Sequence, residues 1–562
     1  MRWHAAACRR FLVLLCALLV LTVGQAEERR PPQAAIASAH PLATQAGMEM
    51  LEQGGNAFDA AIAVSAALAV VEPKASSLGA GGFFLLHRSS DGVNVVVDAR
   101  EVAPLAATRD MFLDADGNVV KGRSTLTALA AGIPGEVAGW GQLAAKYGRL
   151  PLRQSLAPAI RLARDGFPMY EQLRQEIASK KTQFAKTPDA NKYFLVHGDV
   201  PPAGYALKRP DLVRTLEMIA RQGTDSFYHG PFAKKLVDGV KDLGGIWSLE
   251  DLAEYHVIER QPLVGEYRGA RIVTAPPPSS GGIALIDGLN ILSGYELDKL
   301  DSASRKHLII ESLRRVHRDR AEFLGDPDFV SIPLERLLSP YYAAGQRASI
   351  RLDRATPSDM LPGYTGANSG TETTHFSVLD RQGNRVAGTV TLNGWFGTGL
   401  MVTGTGVLLN NEMDDFAVKA GAPNMYQLVG ADANSVAPRK RPLSSMAPTF
   451  IESDHGLLIS GSPGGSFIPT MILLGTLNWL SGADAAQIVA APRFHHQYRP
   501  DEVFAEPGAF TAAEQASLAQ RGHKFRPWPA TIGNMQVVTW DYLTNKVDAA
   551  SDPRRAGGSL VK

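Results

Sequence analysis

Cysteine is almost missing from this chain: among 562 residues only Cys8 and Cys16 carry thiols, and both fall within the first 26 positions. Once that stretch is removed, disulfides, thiol catalysis and cysteine metal sites are excluded. Aromatic residues are sparse at 7%, and neither sign of charge is in excess, with 57 Lys and Arg against 56 Asp and Glu. Such a balance, without a basic tract or tail, argues against nucleic acid and against a charged membrane surface as partners. Internal repeats and low-complexity tracts are lacking too. The apolar run 11–23 is too short to cross a bilayer comfortably. It follows Arg2, Arg9 and Arg10 and precedes Gly24-Gln25-Ala26, so residues 1–26 read as a signal peptide and the mature chain is expected to be secreted or periplasmic.

With 45% hydrophobic and 20% charged residues over its full length, the sequence is that of an ordinary globular chain with ample material for a large core. Helical spacing marks 41–53, ending at Gly54-Gly55, and 57–71 is so uniformly small and apolar that it is expected to be buried on most sides. Segments 83–86 and 93–98 read as paired strands, whereas 155–165, 211–222, 232–243 and 305–324 make the middle of the chain mainly helical. Strands dominate from residue 373 until helices near 470–480 and 512–521, and 535–540 with 547–550 form the last strand pair. Strands flanked on both sides by helices suit two sheets enclosed between helical layers.

The stretch Gly370-Thr371-Glu372-Thr373-Thr374-His375-Phe376-Ser377-Val378 starts a strand at a hydroxyl residue. A cut between Glu372 and Thr373 would give Thr373 a free amine beside its own side-chain oxygen, placing base and nucleophile on one residue. Arg381-Gln382-Gly383 reads as a three-residue hairpin loop with glycine in the left-handed position. Pairing Asp380 with Asn384 then sets Thr373 opposite Thr391, and a period of two puts Asn393 on the same face.

Thr373-Thr374-His375 is followed in order by Thr391-Leu392-Asn393, Asn410-Asn411-Glu412-Met413-Asp414-Asp415, Arg441-Pro442-Leu443-Ser444-Ser445-Met446 and Gly461-Ser462-Pro463-Gly464-Gly465. Upstream stand Gly54-Gly55-Asn56-Ala57-Phe58-Asp59, Val71-Glu72-Pro73, Asp98-Ala99-Arg100-Glu101-Val102-Ala103-Pro104 and Val137-Ala138-Gly139. Together these motifs, from about residue 35 to 553, closely resemble the γ-glutamyltranspeptidase family of N-terminal nucleophile hydrolases. The resemblance implies an α+β, four-layer αββα sandwich cut from one precursor into a large subunit, 27–372, and a small subunit, 373–562. It also implies a γ-glutamyl donor such as glutathione, an amino-acid or dipeptide acceptor, and neither cofactor nor metal.

The roles implied are specific. Thr373 is the nucleophile, Thr391 holds its rotamer, and Gly464 and Gly465 supply oxyanion donors. Arg100 would bind the substrate α-carboxylate with Ser444 and Ser445; Glu412, Asp415 and Asn393 would bind its α-ammonium. The loop 419–430 resembles a lid in which Tyr426 closes over the glutamyl group. His375 reads as structural support, and adjacent His495 and His496 would point to opposite sides of a strand, which disfavours a metal site. Trp395 departs from the family pattern beside the site. The alternatives left open are an acylase for another side chain, a poly-γ-glutamate depolymerase, and an uncleaved, inactive binding protein.

Overall fold

The computed structural model describes residues 29–361, 373–528 and 531–562. The leader 1–26 and the cleavage residue Glu372 therefore lie outside the described residues. The sandwich strands, numbered in chain order, are β1 Ala35–Ser38, β2 Gly81–Arg88, β3 Val93–Ala99, β4 Ile258–Arg260, β5 Leu263–Tyr267, β6 Ala270–Thr274, β7 Thr374–Leu379, β8 Arg385–Thr391, β9 Thr449–Ser453, β10 Gly456–Gly461, β11 Gln536–Asp541, β12 Lys546–Ser551 and β13 Gly558–Val561. They form a seven-stranded sheet ordered β13-β1-β7-β8-β2-β3-β4 and a six-stranded sheet ordered β12-β11-β10-β9-β6-β5. Neighbours in both pair antiparallel.

Alternation along the strands sorts the core into two layers. Phe84, Leu86, Phe376 and Val378 face helices α1 Pro41–Glu52, α2 Ala57–Val71, α3 Glu136–Lys146 and α4 Leu152–Asp165. Phe83, Leu85 and Ala387 meet Ile272, Phe450 and Leu458 between the sheets. Helices α5 Gly281–Leu292, α6 Ser302–Phe323, α7 Ile468–Leu480 and α8 Ala485–Ala490 cover the far side of the second sheet, α6 through α5. The molecule is thus the expected four-layer αββα sandwich.

Helix α2 is buried at every position, as its composition requires, and starts at a capping box made by Asn56 and Asp59. Gly47 lets α1 close on it, since a Cβ there would come within 2.5 Å of Val64. Asp380 ties the helix to the nucleophile hairpin: one carboxylate oxygen accepts from the Ala57 amide at 3.0 Å, the other from Gln382 and Asn384 inside the turn. Gly383 occupies the left-handed position with φ 90°.

The middle of the chain is mainly helical, with β4, β5 and β6 set among the helices and feeding both sheets. Two expectations need correction. The last strand is β13, which pairs with β1 beyond the expected final hairpin. All four strands are short, and β4, β5 and β6 carry Arg or Glu within them, so their conformation is set by the neighbours they pair with. Finally, β8 ends at Thr391 and Asn393 turns left-handed at φ 66°, so the period of two does not carry to Asn393.

Candidate active site

The hairpin register pairs Val390 with Thr374 and so continues to Thr391 opposite Thr373. The two hydroxyl oxygens are 3.4 Å apart, with Thr373 donating, and Thr373 is 7% exposed. Odd-numbered residues of β7 face the second sheet. His375 lies there against Gly461, hydrogen-bonded to Thr389 at 2.8 Å and to Ser377 at 3.2 Å. Complete burial pushes its pKa down to about 3, so it stays neutral.

Although off the strand face, Asn393 remains beside the hydroxyl pair. Its amide donates to Thr391 Oγ1 at 2.8 Å, and its side-chain nitrogen donates to the Asn411 carbonyl at 2.9 Å. The chain then enters a single 3-10 turn, Glu412–Asp415, which brings the two acids onto one cation. That cation is Arg100, wholly buried: its guanidinium pairs with Glu412, with Asp415 at 2.5 Å and with Glu101 at 3.6 Å, while Nε donates to the Pro442 carbonyl at 3.1 Å. The Pro442 contact ties in the next segment, where Ser444 and Ser445 are buried and the Ser444 carbonyl accepts from Ser280.

Burial depresses the Arg100 guanidinium, but Glu412, Asp415 and Glu101 together outweigh it and raise its pKa overall. Burial also pushes the acids up, Glu412 and Asp415 included, and takes Glu101 to about 8. A second buried cation, Arg320 on α6, lies near Asp415, bonded to Ser280 at 3.2 Å; burial lowers it to about 10. Neither Arg320 nor Glu101 was assigned a role from sequence. Arg320 sits in the charged stretch of α6, where helical periodicity carries no sign of which cations turn inward.

Tyr426 is buried, and its hydroxyl donates to the Asn393 carbonyl at 2.6 Å. In the same loop Asn424 donates to Asp415 at 3.3 Å. The Tyr426 ring lies over Gly465, where a Cβ would approach it to 2.6 Å. Gly464 and Gly465 have φ 140° and 52°, which disfavour any residue with a Cβ, and Gly464 lines a narrow cleft shared with Thr373. Gly465→Ala should therefore displace both the tyrosine and the Gly464-Gly465 turn beside Thr373. We expect kcat to fall by about 100-fold with processing intact, read by steady-state kinetics on the purified variant.

Among the described residues one trio, His307, Glu311 and His523, has the side-chain types of a metal site. Glu311 is already neutralised by Arg315 at 2.7 Å and Arg314 at 3.3 Å, and His307 bonds His523 at 2.8 Å, an arrangement that disfavours a further cation. His495 and His496 have separate partners, Thr470 with Gln497 and Asp501 respectively. A larger cleft of about 510 Å³ lies elsewhere, between the start of α6 and the end of α7, and contains no catalytic candidate.

Comparison with known proteins identifies the family. The gamma-glutamyltranspeptidase family model matches residues 43–561. A glutathione hydrolase proenzyme of Escherichia coli (strain K12) is 42% identical over 531 residues, covering 93% of this chain and 91% of that protein. The crystal structure of cephalosporin acylase from Bacillus halodurans superposes with a TM-score of 0.82 at 28% identity, covering 95% of this chain and 96% of that one. For gamma-glutamyltranspeptidase of Helicobacter pylori the TM-score is 0.57 at 41% identity, covering 58% of this chain and 94% of that one. Fold and site define an N-terminal nucleophile hydrolase. The chain belongs to the γ-glutamyltranspeptidase family.

Proposed function

We propose that this protein is a self-cleaving γ-glutamyltransferase and glutathione hydrolase, exported by its leader and matured into subunits 27–372 and 373–562. In the precursor, Thr373 Oγ attacks the Glu372 carbonyl, the amide N–C bond gives way to an ester, and water hydrolyses that ester to free the α-amine. In the mature enzyme the same oxygen attacks the γ-carbonyl of a glutamyl amide while the α-amine takes its proton. Thr391 steadies the nucleophile, and Gly464 and Gly465 donate to the tetrahedral oxyanion. The amine leaves with a proton, and water, an amino acid or a dipeptide then takes the glutamyl group.

The observation that carries this reading is the buried pairing of Arg100 with Glu412 and Asp415, linked through Asn411 and Asn393 to Thr391. A ligand end bearing both carboxylate and ammonium can insert into such a pairing, its carboxylate taking the acids' place at Arg100 and its ammonium taking the arginine's place at Glu412 and Asp415. Ser444 and Ser445 then assist at the carboxylate and Asn393 at the ammonium, under Tyr426. Of the other readings, an acylase is favoured by the Bacillus halodurans neighbour, but a glutaryl group has no ammonium to satisfy the acids.

Intact mass spectrometry with a γ-glutamyl affinity reagent tests the proposal. Two fragments meeting at Glu372 and Thr373, with the label on the smaller, are expected. Among chromogenic amides, the γ-glutamyl compound should be cleaved and the glutaryl compound should not. One unlabelled chain from folded protein would sink the enzymatic reading, and preferential glutaryl cleavage would move it to an acylase.

A further inference from the structure

Beside Thr373 lies a buried charge cluster that the catalytic scheme does not use. Glu72 caps the end of α2, and with Lys74 it lines the narrow cleft that holds Thr373 and Gly464. Glu72 accepts from the Thr374 hydroxyl at 2.6 Å, fixing the residue next to the nucleophile on the helix-facing side of β7. Lys74 is 3% exposed, 2.7 Å from Glu176 and 3.8 Å from Glu72. Arg555, which also lines the cleft, reaches Glu176 at 3.4 Å. The Lys74 carbonyl accepts from the Phe396 amide at 2.7 Å, so the loop after β8 is pinned to the same turn.

We propose that Glu72 and Lys74 are positioning residues that seat the α-amino group released at Thr373 and set the balance by which it accepts the hydroxyl proton. This inference rests on Thr373 being the processed nucleophile. Cleavage creates a new amine in a cleft lined by one acid, Glu72, and two cations, Lys74 and Arg555, both of which pair with Glu176 behind it. Glu72 favours the ammonium, which must be held in place, and Lys74 opposes it, keeping the free amine available as a base.

Among the described residues, Tyr170 and His40 also pack on the cluster and add no charge at neutral pH. Tyr170 stays neutral because burial, then Glu72 and Glu176, raise it well above its usual value. His40 stays neutral because burial, then Lys74, bring it down to about 4. Burial pushes Glu72 itself up to about 7 against the pull of Lys74, so its charge responds to what is placed beside it.

The test compares self-processed wild type with Glu72→Gln, Lys74→Gln and Lys74→Arg, following kcat/KM for a chromogenic γ-glutamyl amide across pH. The Glu72→Gln side chain keeps an acceptor for Thr374 and loses only charge. The acidic limb should move down by about 1 pH unit for Glu72→Gln, up by about 1 unit for Lys74→Gln, and stay in place for Lys74→Arg. A merely structural role would lower the amplitude without opposite shifts. If Glu72→Gln fails to mature, the two Lys74 variants decide. Limbs that coincide with wild type, or shift in the same direction, overturn the inference while leaving Thr373 as nucleophile. A wild type that turns over without a new amino terminus at Thr373 overturns both.

Discussion

Thr373→Ala should remain a single chain and lose γ-glutamyl transfer by at least about 10⁴-fold, because one oxygen serves both self-cleavage and catalysis. Thr391 cannot take its place. It lies 3.4 Å away, but at the end of β8 in mid-chain, where its nitrogen is a peptide amide and cannot act as the base that a chain-terminal amine supplies. Removing the Thr373 side chain leaves the hairpin's anchors intact: Asp380 still binds Ala57, Gln382 and Asn384, and Thr374 still binds Glu72. The variant should therefore fold, and its circular dichroism should match the unprocessed wild type. Thr373→Ser provides the converse control. Serine keeps the oxygen but lacks the methyl group that restricts χ1, so it should mature more slowly and retain part of the activity. Intact mass and an amidase assay on the same preparations decide the matter; a cleaved, active alanine variant would overturn the mechanism.

The parts of this site that were legible in sequence are those governed by local rules. The 381–383 turn fixed the hairpin register because loop length and a left-handed glycine leave few alternatives. The placement of Thr391 opposite Thr373 follows from that register alone. Helix α2 was legible for a different reason: an unbroken small, apolar segment can only be buried, and its bounds appeared directly. Asn393 marks where the local rule stops, since a backbone turn at φ 66° ends the alternation although the residue stays within hydrogen-bond reach. The ion pairing of Arg100 with Glu412 was beyond sequence patterning, because 312 positions separate the partners and only the packed sheets bring them together. Arg320 and the Glu72–Lys74 pair escaped for the same reason. Buried charges have no periodic signature, and their meaning comes from neighbours that the chain supplies from afar.

Arg100 is where the second large effect is expected. Its guanidinium uses three different nitrogens for Glu412, Asp415 and Pro442, whereas a lysine offers one compact ammonium that cannot span the same partners. Arg100→Lys should therefore keep the charge yet raise KM for a γ-glutamyl amide by about 100-fold, with a smaller change in kcat, since the carboxylate contact proposed for Arg100 would be made both before and during the transition state. Arg100→Ala goes further by leaving Glu101, Glu412 and Asp415 buried without their shared cation, at a cost of about 3–5 kcal/mol when they are ionised. The pH dependence fixes the cause. Arg100 lowers the folded-state pKa of these acids against the upward push of burial. Without it their folded pKa values rise further above the unfolded ones, so stability is retained below the unfolded carboxylate range and lost as pH climbs through neutrality. The variant's thermal midpoint should thus lie close to that of wild type near pH 4 and well below it at pH 8. A deficit of equal size at both pH values would assign the loss to the missing packing volume instead of the missing charge.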